Sequence, residues 1–235
     1  MSGAAGFAHG AAILTTADGS GADTHISNDA NQAATTNHGA KASNDIRHYD
    51  AVRAKLVYWK FDLSGVSGDL SNATLTVTFT GANRNRTMNV YGLTDETGDS
   101  WGESTIAYNN APGIIQPEDG GVAYNSGSES MDPTKLPLLT TFTTPAAPGT
   151  VTTTADIDLD NFLSADTNGL VTFVLYTATS DSSQSFFVAS KENTGGEAVF
   201  PTLTLPNAVV PEPASASVLA LSGLALLARR RRNAI

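Results

Sequence analysis

Residues 70–81 read "LSNATLTVTFTG", and the order of side chains in that stretch decides the fold class. Leu75, Val77 and Phe79 alternate with Thr76, Thr78 and Thr80. Successive side chains of a strand point to opposite faces, so this pattern predicts a strand with one apolar face and one hydroxyl face. Working outward, "AKLVYWKFDLS" (54–64) sets Leu56, Tyr58 and Lys60 against Val57, Trp59 and Phe61, which predicts a second strand with Trp59 facing the core. "TMNVYGLT", "STIAYNNAP", "TVTTTADIDL", "GLVTFVLYTAT", "SFFVAS" and "FPTLTL" extend the series. Within the Gly/Pro-rich stretch 113–149, only Leu138 to Phe142 reads as a strand. Nine or ten short strands separated by turn formers predict an all-β fold, a jelly-roll β-sandwich. The one helical turn expected in the body falls near Asp160 to Leu163. "HISNDANQAATTNHGAKASND", His25 to Asp45, is polar and turn-rich, and predicts a long loop carrying brief edge strands.

The chain has 235 residues, no cysteine and a formal charge of −10. Without cysteine there is no disulfide, thiol nucleophile or Cys-ligated zinc. Arg229, Arg230, Arg231, Arg232 and Glu212 together contribute +3, which leaves about −13 ahead of the tail. Such a body repels nucleic acid, and no nucleic-acid partner is expected.

The C-terminus is of another kind: "VPEPASASVLALSGLALLARRRR", 210–232. No charge interrupts Ala214 to Ala228, and that run rises about 22 Å as a helix, close to a membrane span once arginines snorkel at its end. Pro211 and Pro213 cannot sit inside the helix and leave an extended, accessible approach to it. The arginines stay on the cytoplasmic side, which puts the body outside.

Val210, Pro211, Glu212 and Pro213, then an apolar segment, then Arg229, Arg230, Arg231 and Arg232 resemble a PEP-CTERM sorting signal. The resemblance implies a bacterial exported protein. An exosortase-type transpeptidase recognises the motif, and the body ends at the cell surface or in the extracellular matrix, often alongside exopolysaccharide. Export calls for an N-terminal signal; Ala8-His9-Gly10 resembles the small-residue end of one, so the true start is expected upstream. The expected organisation is thus a signal remnant or disordered start over 1–12, a β-sandwich over 13–206, and a sorting region with a single transmembrane helix over 207–235.

Three stretches of the body carry a second resemblance, to DNRLRE-type domains and through them to carbohydrate-binding modules. They are "LVYWKFDLSGVSGDLSNATLTV" (56–77), "SWGESTIAYNNAP" (100–112) and "FFVASKENTGGEAVFPTLTL" (186–205). This implies a non-catalytic role, binding extracellular polysaccharide or building the envelope. A glycan-active enzyme (lyase or hydrolase) and a plain tail-anchored structural protein are the alternatives.

The candidate chemistry is sparse. His9, His25, His38 and His48 have no metal-ligand spacing, and no catalytic motif is present. Asp156, Asp158 and Asp160 interleave with Ile157 and Leu159 at strand spacing and read as a solvated strand face. The sequence specifies no cofactor; modules of this type admit a structural Ca²⁺, with no ligands assigned. A sugar platform needs an exposed aromatic ring with polar neighbours. Tyr49 and Tyr124 lie in loops and qualify, with Arg47 and Arg53 beside the first as contacts for an acidic polysaccharide. Lys55 belongs to the same basic group and otherwise reads as part of an exposed face. Trp101 and Tyr108 are read as packing residues.

Overall fold

A computed structural model describes residues 10–28, 33–48, 54–81, 85–95, 98–115, 131–177 and 185–210. Thirteen strands are present among them: β1 (Ala12–Thr15), β2 (Ala22–Ser27), β3 (Ser43–His48), β4 (Ala54–Asp62), β5 (Ser67–Gly68), β6 (Thr74–Phe79), β7 (Thr87–Leu93), β8 (Leu138–Thr143), β9 (Gly149–Thr152), β10 (Leu170–Thr177), β11 (Ser185–Ala189), β12 (Thr202–Leu205) and β13 (Ala208–Val209). One helix, α1 (Ile157–Ser164), interrupts them. The fold is mostly β, and every pairing is antiparallel. The path of paired strands runs β1-β12-β6-β11-β3-β4-β10-β7-β8, with β2 added to β4 and β9 to β6.

The sheet curls on itself. Phe79 of β6 meets Phe142 of β8 edge to face at 6.1 Å, although these strands lie far apart along the path. Leu75, Val77 and Phe79 are each 1% exposed, as the period-two pattern requires, while Thr76 and Thr78 turn outward. Both faces of β4 are buried. One carries Trp59 and Phe61, the latter packed at 5.9 Å on Phe173 of β10. The other carries Tyr58 and Lys60, and residues 99–115 roof it. Packing this dense on both sides makes β4 and β10 the mechanical centre of the domain.

Three sequence expectations need correction. Asp156 to Asp160 is not a strand face: β9 ends at Thr152, Asp156 caps α1 by accepting from the Asp158 N–H at 3.0 Å, and Leu159 and Leu163 supply the buried stripe. Spacings of two and of four share alternate positions, so a short Asp-Ile-Asp-Leu-Asp run fits both periods. Next, His25 to Ser27 belong to β2, a fully buried strand paired with β4, rather than to a loop. Finally, residues 104–112 form no strand; a 3-10 turn at Tyr108–Asn110 sits in a loop held by side chains.

Candidate functional site

The stretches 100–112 and 186–205 converge on the β2-β4-β10 region. The Trp101 indole N–H donates to the Thr172 hydroxyl at 3.0 Å, and the ring meets Tyr58 edge to face at 6.0 Å. The Lys60 ammonium lies 4.7 Å from the centre of the Trp101 ring and donates to its carbonyl at 2.6 Å. Tyr108 is fully buried. These rings pack, as expected, and none is a sugar platform. The Asn37 side-chain amide donates to the carbonyls of Glu103 and Ile106, at 2.6 and 2.7 Å, which fastens the early loop to this roof. A Cβ on Gly39 would lie 2.3 Å from the Glu103 carbonyl oxygen, so this approach needs glycine.

Glu103 then reaches both neighbours. It accepts the Asp23 N–H at 2.9 Å and pairs with the Lys191 ammonium at 2.8 Å. Asp23 is buried and accepts from the Thr16 hydroxyl (2.6 Å), the Asn44 amide (2.8 Å) and the Lys191 N–H (2.9 Å). Burial pushes its carboxyl above the usual carboxylate range, the Thr16, Lys191 and Asn44 bonds pull it back, and the Glu103 charge adds to the rise. Glu192 completes a carboxylate trio with Asp23 and Glu103; burial raises it, and the other two charges raise it further. His25 stacks on His38 with centroids 4.1 Å apart. Burial and then the neighbouring His38 push its imidazole down to about 3, so it is neutral at physiological pH. The group is a polar latch tying four chain segments together, with Lys191 as its own counter-ion. The family-like residues Glu103 and Lys191 are structural here.

A second acidic group lies at a cleft of about 480 Å³, lined by Thr94, Asp95, Thr134, Phe162, Asp166 and Thr167 among others. Asp99 is adjacent, and Asp95, Asp99 and Asp166 each offer an oxygen within 4.8 Å of the others. Burial raises both Asp99 and Asp166, and the Asp95 charge adds to each. Sequence reasoning missed this group. Its members are separated by up to 71 positions in the chain, and only the pairing of Thr172 with Leu93 brings their loops together.

The third feature is the outer face of β9-β6-β12-β1. Thr76 and Thr152 bond hydroxyl to hydroxyl at 2.9 Å, and Thr78 and Thr150 at 3.1 Å. Beside them Phe187 of β11 is 41% exposed. The register places Phe187 opposite Asp45 and Ser185 opposite Arg47, so Arg47 shares the Phe187 face. Lys55 contradicts the exposed-face reading: it is 7% exposed and pairs with Asp45 at 2.6 Å. A cation this enclosed is retained only with a partner. Tyr49, Arg53 and Tyr124 lie outside the described residues, as do His9, Pro211, Glu212, Pro213, the four arginines and the expected membrane helix. Val210, half exposed, is the last described residue, and no helix among the described residues is long and apolar enough to cross a membrane.

An antiparallel β domain with an open hydroxyl-lined face offers a surface on which a ligand could lie. Comparison with known families makes this specific: residues 16–131 match carbohydrate-binding module family 96, and residues 209–232 match the PEP-CTERM protein-sorting motif. The chain therefore carries a family 96 carbohydrate-binding module and a C-terminal PEP-CTERM sorting motif. No curated protein matches it. The module match ends at Met131, yet β10 lies between β4 and β7 and β12 lies between β1 and β6. The folded unit consequently needs the chain beyond the matched region.

Proposed function

We propose that this is an exported, non-catalytic surface or matrix protein, processed by an exosortase-type transpeptidase at its C-terminal motif, whose jelly-roll sandwich binds extracellular polysaccharide. The observation that carries the reading is the presence of both a carbohydrate-binding module and a sorting motif in one chain. The face bearing Thr76, Thr78, Thr150, Thr152, Phe187 and Arg47 is the proposed glycan surface. An exposed ring offers stacking to the apolar face of a sugar, and hydroxyl rows offer donors and acceptors to its edge. Tyr49, Arg53 and Tyr124 are proposed as further glycan contacts.

The test is retention of the full chain, in detergent, on gels containing extracellular polysaccharides. Phe187→Ala is expected to weaken retention roughly three- to tenfold, the range of one aromatic stacking contact. Equal retention of both proteins on a polysaccharide that binds would remove this face from the site. Failure to bind any polysaccharide would leave the scaffold role in its place. Turnover of the polysaccharide would overturn the non-catalytic reading.

A further inference from the structure

We infer that Asp95, Asp99 and Asp166 form a divalent-cation site, selective for Ca²⁺, that clamps the β7 exit loop to the turn between α1 and β10. The topology creates the juxtaposition. β7 ends at Leu93 and β10 begins at Leu170; these strands pair antiparallel, so the residues leaving one lie beside those entering the other. The loop positions are then fixed from both sides. Asp95 accepts the Thr167 N–H at 2.8 Å and its hydroxyl at 2.6 Å. Asp99 Oδ1 accepts the Asn168 amide at 3.2 Å, and Asp166 Oδ2 accepts the Gly169 N–H at 2.9 Å.

These bonds leave one oxygen on each carboxylate, and two of those oxygens are buried. Asp99 is 2% exposed, and its Oδ2 has no partner; nor has the buried Oδ1 of Asp166. A buried carboxylate oxygen without a donor costs the full desolvation of that atom, and two such atoms beside a third carboxylate add like-charge repulsion. The charge of Lys60 acts on Asp99, but its ammonium donates to the Trp101 carbonyl and stays with that ring. The group of Asp23, Glu103 and Glu192 also leaves Glu192 Oε2 without a partner, but it differs in that Lys191 is built into the trio and donors fill both oxygens of Asp23. A cation is what the Asp99 group lacks and the Asp23 group contains.

The donor set selects the ion. Three carboxylates with no His or Cys suit a hard cation and not a transition metal. Oxygens within 4.8 Å of one another fit around an ion bound at about 2.3–2.6 Å, the Ca²⁺ range, with the open cleft supplying water to the remaining positions. Mg²⁺ demands shorter bonds and a near-ideal octahedron, which three side chains anchored by their own hydrogen bonds are ill placed to form.

The experiment is thermal unfolding of the full chain in detergent, after EDTA treatment, with added Ca²⁺ or Mg²⁺, together with equilibrium dialysis against ⁴⁵Ca²⁺. The expected result is one Ca²⁺ per chain and a rise in Tm of roughly 5–10 °C at saturation, by linkage. Mg²⁺ at the same concentration should give less than a third of that rise. Asp99→Asn and Asp166→Asn should each abolish the Ca²⁺ response, yet match or exceed the parent Tm in EDTA because one of three like charges is gone. Glu192→Gln should keep the response. An absent Ca²⁺ shift in the parent protein overturns the site, and so does a full shift in both asparagine variants. An equal Mg²⁺ shift overturns the selectivity. Should Asp99→Asn fail to fold, the half-buried Asp166 variant decides the question alone.

Discussion

His25 shows how a single buried side chain sets a property of the whole domain. Its neighbours are His38, the Asn44 carbonyl oxygen 3.4 Å from Nδ1, and the charges of Lys55 and Lys41; burial outweighs them all. The folded value of about 3 lies below the ordinary 6.5, so below pH 6.5 the unfolded chain takes up a proton that the folded chain refuses. Stability from this group is intact above 6.5 and falls as pH drops toward 3. His38 is shifted the same way by burial and by Lys55 and Lys41, and adds to the fall. The rate of loss approaches about 1.4 kcal/mol per pH unit for each fully shifted group. Denaturant titrations at pH 7 and pH 5 should differ by about 2 kcal/mol in the parent chain. His25→Gln should remove most of that difference, and an unchanged pH slope would show that the imidazole is not the group responsible. Asp23 works in the opposite sense: its raised carboxyl contributes stability that is lost as pH climbs through its folded value. Glu103 tests the same latch from outside. Glu103→Ala removes the acceptor of the Asp23 N–H and the Lys191 partner together, and should cost about 1–3 kcal/mol. Glu103→Gln keeps the acceptor oxygen and should cost about 1 kcal/mol or less, since the ion pair is partly exposed.

At the scale of elements, α1 does more than fill a gap between strands. Asp160 on its first turn accepts the N–H groups of Asn72 and Ala73 at 3.0 and 3.1 Å, and so orients the turn that leads into β6. Asn72 sits at a φ of 61°, a conformation that such anchoring holds in place. Asp160→Ala should lower stability by about 1–2 kcal/mol, through lost charge-assisted bonds, as read by denaturant midpoint; Asp156→Ala should cost about 1 kcal/mol through the cap. An Asp160→Ala midpoint equal to the parent's would mean that the turn holds itself. These elements also mark how far the sequence is legible. β4, β6, β7, β8, β10, β11 and β12 were readable because each buries apolar residues in a run or at period two, a signal contained within the strand. β2 was not, since Asp23, Thr24, His25 and Ser27 are buried by partners on other segments, and a polar strand satisfied from elsewhere looks like a loop. The helical turn expected near Asp160 to Leu163 lies within α1, but the start of that helix was hidden: Ile157, 68% exposed, mimics a strand's apolar alternation without serving any core. The packing role of Trp101 and Tyr108 was readable from their motif. The Asp99 group carries no local signature, for it exists only once β7 and β10 pair.

For the whole molecule, the decisive geometry is where a paired strand meets the sorting motif. β13 pairs with β5, Ala208 opposite Gly68 and Val209 opposite Ser67, so ladder hydrogen bonding continues to within two residues of Pro211. The sorting motif match begins at residue 209, inside that strand. A transpeptidase acting at Pro211 to Pro213, as proposed above, must therefore take its substrate against the wall of the domain. Fraying of β13 from the two-residue β5 would relieve the crowding. The expectation is that the opening of β13 precedes cleavage, so that the pairing acts as a brake on processing. Ten Gly/Ser residues inserted between Val210 and Pro211 give a flexible reach of about 17 Å and bypass the brake. In a host that contains an exosortase, pulse-chase of the inserted chain should show conversion to the shorter form several-fold faster than the parent. Glu212→Ala in either background should leave the tail attached, which identifies the conversion as motif-dependent. Equal rates with and without the insert would mean that the enzyme reads Pro211 to Pro213 beside a closed β13, and that the body sets no barrier.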